Sequence, residues 1–268
     1  MVCTSACSHT LAAMTQAEFR LLSQPTEFAA LATLFGAVWY GDGTVPYAGD
    51  LLHAVSFAGG YVAGAYVDAE LIGGSLAILG RHENELVLHS HVTGVLPGME
   101  HRGVGSALKL HQREWARSNN LPAITWTFDP LVRRNAWFNL AKLGARFVGY
   151  VESFYGEADD TINGGDETDR AIVRWSTTEA APNEPTRGFV VVDADATATK
   201  PTDDERVINI ATPPDIVALR TTDPASARRW RRAVRQAFVD AFARGFEVSG
   251  FDRDGHYTLE RRGSQEQQ

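Results

Sequence analysis

Residues 95–110 read Val-Leu-Pro-Gly-Met-Glu-His-Arg-Gly-Val-Gly-Ser-Ala-Leu-Lys-Leu, a run whose residue types suit the binding of an anion. An apolar stretch over 85–95 breaks at Pro97-Gly98. Gly103 and Gly105 then open a segment whose apolar positions recur with helical spacing. Glycines let main chain approach a ligand closely, and the N–H groups of a helix's first turn favour negative charge, so a diphosphate is the natural guest. Strand, glycine loop and helix also occur for structural reasons alone, and spacing does not separate the two readings. A nucleotide-binding version needs a Lys-Ser or Lys-Thr pair, or a ribose-binding acid at the proper offset; neither follows Gly105 in the required form. On the preceding run, His89 and His91 face one way if the run is a strand. Imidazoles titrate near neutrality, so the pair could move protons or begin a metal site, but no third ligand is in sight. Cys3, Cys7 and His9 could also be drawn as ligands and lack a fourth, so no metal is expected.

These residues need a scaffold, and the apolar pattern supplies one. Phe28, Leu31, Phe35, Val38 and Trp39 recur at three- and four-residue steps over 25–40, a helix stopped by Gly41-Asp42-Gly43. Three β-favouring runs, 60–67, 71–79 and 85–95, are separated by short polar breaks and predict an antiparallel meander. After the glycines, Val104, Leu108, His111 and Trp115 share one helix face, and a short buried strand follows at 123–128. Asp129-Pro130 reads as an N-cap and first helical residue, with Gly144 at the helix's C-terminal end. Strands are predicted over 146–155 and 170–175, joined by a polar loop over 156–166. From 177 to 205 the composition turns to Thr, Ala, Pro, Asp and Glu, a linker with one edge strand at 188–192. A helix opening at Asp223-Pro224 carries Trp230, Val234, Phe238 and Phe242, and a hairpin over 246–260 follows.

The 268 residues can bury a sizeable core, and 44% hydrophobic with 22% charged residues describes an ordinary globule. A formal charge of −8 argues against nucleic acid or an anionic membrane as partner, leaving small molecules. Both cysteines lie in the first ten residues, and no apolar run approaches about 18, so a cytoplasmic setting without membrane spanning is expected.

The meander, the Val95-Leu96-Pro97 step, Gly103-Val104-Gly105 with its helix, the next strand, and a helix ending in Leu143-Gly144 resemble the GNAT superfamily of acyl-CoA N-acyltransferases over roughly residues 18–176. His89-Ser90-His91, Trp126-Thr127-Phe128-Asp129-Pro130-Leu131, Asn135-Ala136, Phe154-Tyr155-Gly156 and Asp169-Arg170 resemble a little-characterised branch whose sequences continue into a C-terminal region similar to 230–260. Some of its members work beside enolase-type racemases and succinylate amino acids. The resemblance implies an α+β fold, with a mixed, mostly antiparallel twisted sheet flanked by helices and a C-terminal α+β extension. It divides the chain into a flexible terminus (1–17), the acyltransferase domain (18–176), the linker (177–205), a C-terminal subdomain (206–262) and a tail (263–268).

The same resemblance implies roles. Main chain at His101, Arg102, Gly103, Val104, Gly105 and Ser106 would seat the CoA diphosphate. Thr93, Gly94 and Val95 would pair with pantetheine and offer an N–H to the thioester oxygen. The residue types themselves offer His91 to take the amine's proton through water and Tyr155 to protonate the departing thiolate, with Tyr150 a poorer candidate, though both His91 and Tyr155 also read as hydrogen-bonded core residues. Asp129 reads as a helix cap first and an amine ligand second, Asn135 and Asn139 as partners for pantetheine amides or a substrate carboxylate, and Trp126 as core or as a platform for the acceptor. A stripe of Arg228, Arg232 and Arg235 could clamp a carboxylate or phosphate, or simply face solvent. Two departures stand out: Glu100 replaces the usual Gln or Arg, and the tyrosine commonly used as general acid falls on Leu140. The expected activity is transfer of an acetyl or succinyl group from acetyl-CoA or succinyl-CoA to a small-molecule primary amine such as an amino acid, with a homodimer allowed. The rival expectation is an inactive CoA-binding regulator or partner protein of the same fold.

Overall fold

The computed structural model describes residues 17–99, 103–156, 166–178 and 185–261. Seven strands are hydrogen-bonded in the order β1-β2-β3-β4-β5-β7-β6, and four more form a second sheet in the order β10-β11-β9-β8. The α+β class and the mostly antiparallel sheet are as expected. The chain clusters into two compact units, Met1–Leu76 with Thr93–His111, and Ala77–Val92 with Gln112–Gln268; β3 (Glu70–His82) and β4 (Glu85–Val95) contribute residues to each. Among the described residues no helix is long and apolar enough to cross a membrane.

In the first unit, β1 (Glu18–Leu21) pairs antiparallel with β2 (Tyr61–Val67), and α1 (Pro25–Trp39) begins at a capping box in which Glu27 accepts from the Ser23 and Gln24 N–H groups. Pro25 at its first position costs the helix no hydrogen bond. Phe28, Leu31 and Phe35, the stripe seen in the sequence, are buried. A second helix, α2 (Gly49–Phe57), is absent from the sequence reading because it buries only Leu52 and so lacks an apolar stripe. Asp68 and Ala69 both have positive φ, the geometry of a two-residue hairpin turn, and Glu83 and Asn84 repeat it between β3 and β4. The helix after the glycines, α3 (Val104–Ser118), buries Val104 and Leu108 against Ala65 and Ile72, with Phe19, Val67, Val95 and Met99 packed around them.

In the second unit β5 (Ala123–Phe128) lies parallel to β4 on one side and antiparallel to β7 (Arg170–Ser176) on the other, and β6 (Arg146–Val151) closes that edge. The sequence predicts a longer β6. Instead residues 152–155 form a turn with Ser153 at φ +44°, so Tyr155 leaves the sheet. The expected helix from Pro130 is also corrected. Its first α turn, α4 (Arg133–Ala136), starts three residues later, then passes into a π-helical turn, Trp137–Lys142, in which Leu143 N–H donates to Phe138 O at 2.9 Å. Gly144, at φ +73°, ends it.

The edge strand expected near 190, β8 (Phe189–Val192), pairs parallel with β9 (Val207–Ala211), which pairs with β11 (His256–Arg261) and so with β10 (Phe246–Phe251). A short α5 (Ile216–Thr222) precedes α6 (Pro224–Ala243), capped by the Asp223 carboxylate on the Ser226 N–H at 3.0 Å. Phe238 of α6 stacks on Phe147 of β6 at 5.4 Å and meets Tyr257 of β11 edge-on at 5.1 Å. The extension is therefore cored by the same aromatic cluster that covers β6.

Candidate functional site

Within the first unit the expected donor residues converge. Gly98 and Gly103 have φ of +86° and +78°, and a Cβ added at either would meet nothing within 4 Å, so main chain lies open on both sides of the turn. Gly103 O accepts from Ala107 N–H at 3.0 Å, which starts α3 immediately after the loop. That geometry fits an anion against the first turn of α3. Leu96 N–H donates to Ile72 O at 2.9 Å, so strand alternation turns the peptide groups of Thr93 and Val95 away from β3, and that of Gly94 toward it. Of the three expected pantetheine contacts, Thr93 and Val95 thus have outward main chain. Gly94 is required for another reason: a Cβ there would stand 2.6 Å from the Trp39 indole. The Thr93 hydroxyl is within 2.8 Å of the Ser75 hydroxyl. His101 and Arg102, with Glu100, lie outside the described residues, as do Cys3, Cys7 and His9.

Lys109 stands in the second turn of α3, a position with no local signal of a role in the sequence. It is buried, and burial lowers its pKa to about 7. A base whose folded pKa is depressed binds fewer protons folded than unfolded, so stability rises with pH between about 7 and the unfolded value of about 10.4. Lys109→Met is accordingly expected to flatten this rise, so that the unfolding free energy from urea titrations changes less between pH 7 and pH 10 than in the wild type. A variant that keeps the wild-type slope would contradict the assignment.

In the second unit the described parallel ladder pairs Leu88 with Ile124 and His89 with Thr125, while β5 keeps its partner β7 as far as Phe128. His91 stands two residues beyond that ladder on the same side of β4 as His89. Its side chain is exposed, and the partial burial it does have lowers its pKa. His89 Nδ1 lies 3.2 Å from the Thr125 hydroxyl. Trp126 and Asn139 meet, but in the core: the indole N–H donates to Asn139 Oδ1 at 3.2 Å, and both side chains are buried. Leu140, where the usual acid would fall, is also buried. Asn135 is half-buried on α4. Tyr155 is 56% exposed, lies edge-on to Phe154 at 4.7 Å and receives the Arg170 guanidinium over its ring at 5.2 Å. Tyr150 is half-buried, and its hydroxyl donates to Asp169; desolvation and then that carboxylate raise its pKa.

Asp129 proves to be the centre of a buried ionic cluster. It caps no helix; its Oδ1 accepts from the Leu131 N–H at 2.9 Å, closing a turn. Arg231 grips both carboxylate oxygens at 3.0 and 2.9 Å, and Arg220 adds a contact at 2.5 Å. The same two guanidiniums share Asp166 at 3.0 and 3.1 Å. Burial would raise the Asp129 pKa, but Arg231 and then Arg220 outweigh it and hold the carboxyl at about 2. Next to this quartet Asp169 takes Arg235 through both oxygens, at 2.5 and 2.8 Å. Arg235, expected on a basic face, is thus largely spent on Asp169 and on Glu152 and Glu167. The C-terminal region holds the same loop elsewhere: the Tyr257 hydroxyl donates to Pro130 O at 2.8 Å, and Arg133 reaches the Thr212 hydroxyl at 3.3 Å. The Asp-Pro-Leu string is therefore a docking seat for the extension, and its carboxylate is committed there.

No family model and no curated protein matches the sequence. Solved structures do resemble it. An N-acetyltransferase from Staphylococcus aureus Mu50 superposes with a TM-score of 0.50 at 12% identity, over 61% of this chain and 99% of that one. A GNAT family acetyltransferase from Elizabethkingia anophelis with acetyl-CoA bound gives 0.44 at 14% identity, over 60% and 97%. Naa50 of Arabidopsis thaliana, in complex with the bisubstrate analogue CoA-Ac-MVNAL, gives 0.44 at 18%, over 60% and 98%. The chain shares the fold of that Staphylococcus aureus N-acetyltransferase over 61% of its length, and it carries a second sheet of four strands.

Proposed function

We propose that the protein is an acyl-CoA-dependent N-acyltransferase that moves an acetyl or succinyl group to the primary amine of a small molecule such as an amino acid. The observation that supports this best is the donor cradle: open glycine main chain at Gly98 and Gly103, running into α3, beside a strand end whose Thr93 and Val95 peptide groups turn outward. His101 and Arg102 would belong to the same seat, with Val104, Gly105 and Ser106 in the first turn of α3. In this reading the Val95 N–H holds the thioester oxygen as it becomes an oxyanion. The amine nitrogen attacks the carbonyl carbon directly, the C–S bond breaks, and the thiolate leaves. His91, its pKa lowered, is a free base at neutral pH and takes the ammonium proton through water. Tyr155, exposed in the turn after β6, is the candidate donor to the thiolate, and Asn135 offers an amide to the acceptor. The inactive CoA-binding protein keeps one specific support, the buried Leu140.

Thiol release from acetyl-CoA and succinyl-CoA with a panel of amino acids, alongside calorimetric CoA binding, distinguishes the two. Turnover on at least one amine is expected. Tight CoA binding with no turnover on any amine would establish the non-catalytic reading.

A further inference from the structure

Arg170, the first residue of β7, lies beside the ionic cluster and forms none of its described ion pairs. Three aspartates, Asp129, Asp166 and Asp169, are matched by Arg220, Arg231 and Arg235. Arg170 is a fourth cation, partly buried, whose hydrogen bond among the described residues goes to the Asp169 carbonyl at 2.9 Å. Its plane lies over the Tyr155 ring, and among the described residues no carboxylate pairs with the guanidinium edge. Burial depresses its pKa by more than the charge of Asp129, a carboxylate already held by Arg220 and Arg231, raises it. Protein interiors rarely leave a desolvated cation without an anion unless a ligand supplies one.

Register says where that edge lies. His89, Thr125 and Arg174 stand in one row across β4, β5 and β7, so Arg170 shares their sheet face, as does His91 by alternation. Both lie beyond the described ladder rows of β5 toward the same end of the sheet, His91 by two residues on β4 and Arg170 by one on β7, with β5 between them.

We propose that Arg170 is the carboxylate anchor of the substrate, holding a carboxylate of the acceptor or of the acyl group while the amine lies toward His91. This rests on the acyltransferase reading and names the substrate class: one reactant carries a free carboxylate. Tyr155 braces the guanidinium face-on, so its ring positions the anchor whatever its hydroxyl does.

The test is Arg170→Gln, with Arg170→Lys as the charge-preserving control, assayed with free amino acids, their methyl esters, acetyl-CoA and succinyl-CoA. If the carboxylate is the acceptor's, R170Q raises KM for free amino acids about 10- to 100-fold with kcat little changed, the esters are poor and indifferent to the variant, and R170K recovers part of the loss. If it belongs to the acyl group, acetyl-CoA kinetics stay put and KM for succinyl-CoA rises instead. Thermal unfolding of R170Q should hold or rise, since an uncompensated cation is removed. Unchanged KM for every acid, ester and donor, or a lowered Tm with unchanged KM, overturns the proposal. Should the wild type turn over no amine, calorimetry with N-acetyl amino acids and with succinyl-CoA against acetyl-CoA still decides. Carboxylate-dependent binding lost in R170Q supports the anchor, and its absence from the wild type overturns it.

Discussion

Arg231→Met is expected to lower the unfolding free energy by about 3–5 kcal/mol, the cost of leaving buried carboxylates without their partner. Arg231 is 1% exposed and makes contacts of 3.0 Å or less to both Asp129 and Asp166. Methionine fills much of the space but carries no donors, and Arg220 alone cannot neutralise two acids. The pH dependence gives a second reading. The folded Asp129 carboxyl, at about 2, lies below its unfolded value of about 3.9, so its contribution is complete above pH 4 and is lost as pH falls toward 2. Wild-type stability should therefore fall through that window, and R231M should have lost most of this dependence by pH 4. Urea unfolding at pH 7, 4 and 3 measures both. A change below about 1 kcal/mol at pH 7 would mean that the quartet relaxes or admits water.

His91→Ala is expected to reduce kcat/KM by about 10²- to 10³-fold at pH 7, within the range for loss of a general base, while CoA affinity stays as in the wild type. Desolvation lowers the His91 pKa, so the imidazole is neutral at pH 7 and the wild-type acid limb should fall below about 6.5. The variant should lose that limb together with the rate, because the titrating group is gone. A wild-type rate in H91A would remove the histidine from the chemistry. A slow variant that keeps the limb would assign the titration to another group.

The sequence made the framework readable where each element carries its own signal. The α1 stripe, the meander, the glycines at the start of α3 and the Asp223-Pro224 start of α6 are all local and appear where expected, although β3 runs over Glu70–His82 and shortens the breaks expected at 68–70 and 80–84 to two residues each. What failed to show was set by partners distant in sequence. Asp129 before Pro130 has the local signature of a cap; only the burial of Arg220 and Arg231, far along the chain, draws its carboxylate elsewhere. Trp126 and Asn139, expected around an acceptor, satisfy each other in the core. The stripe of Arg228, Arg232 and Arg235 is spaced by four and three residues, whereas the arginine that matters most for folding, Arg231, sits among the apolar positions where a charge was not sought. A charged residue within an apolar stripe is itself a signal, because it demands a buried counter-ion.

The ionic quartet also dictates when the protein can finish folding. Asp129 and Asp166 precede Arg220 by 91 and 54 residues and Arg231 by 102 and 65. On the ribosome both acids emerge long before either guanidinium, so the end of β5 waits, hydrated and unclamped, until Arg220 and Arg231 have followed. The loop after β5 is then a late assembly step, dominated by contacts of high sequence separation, and slow closure is the kinetic consequence.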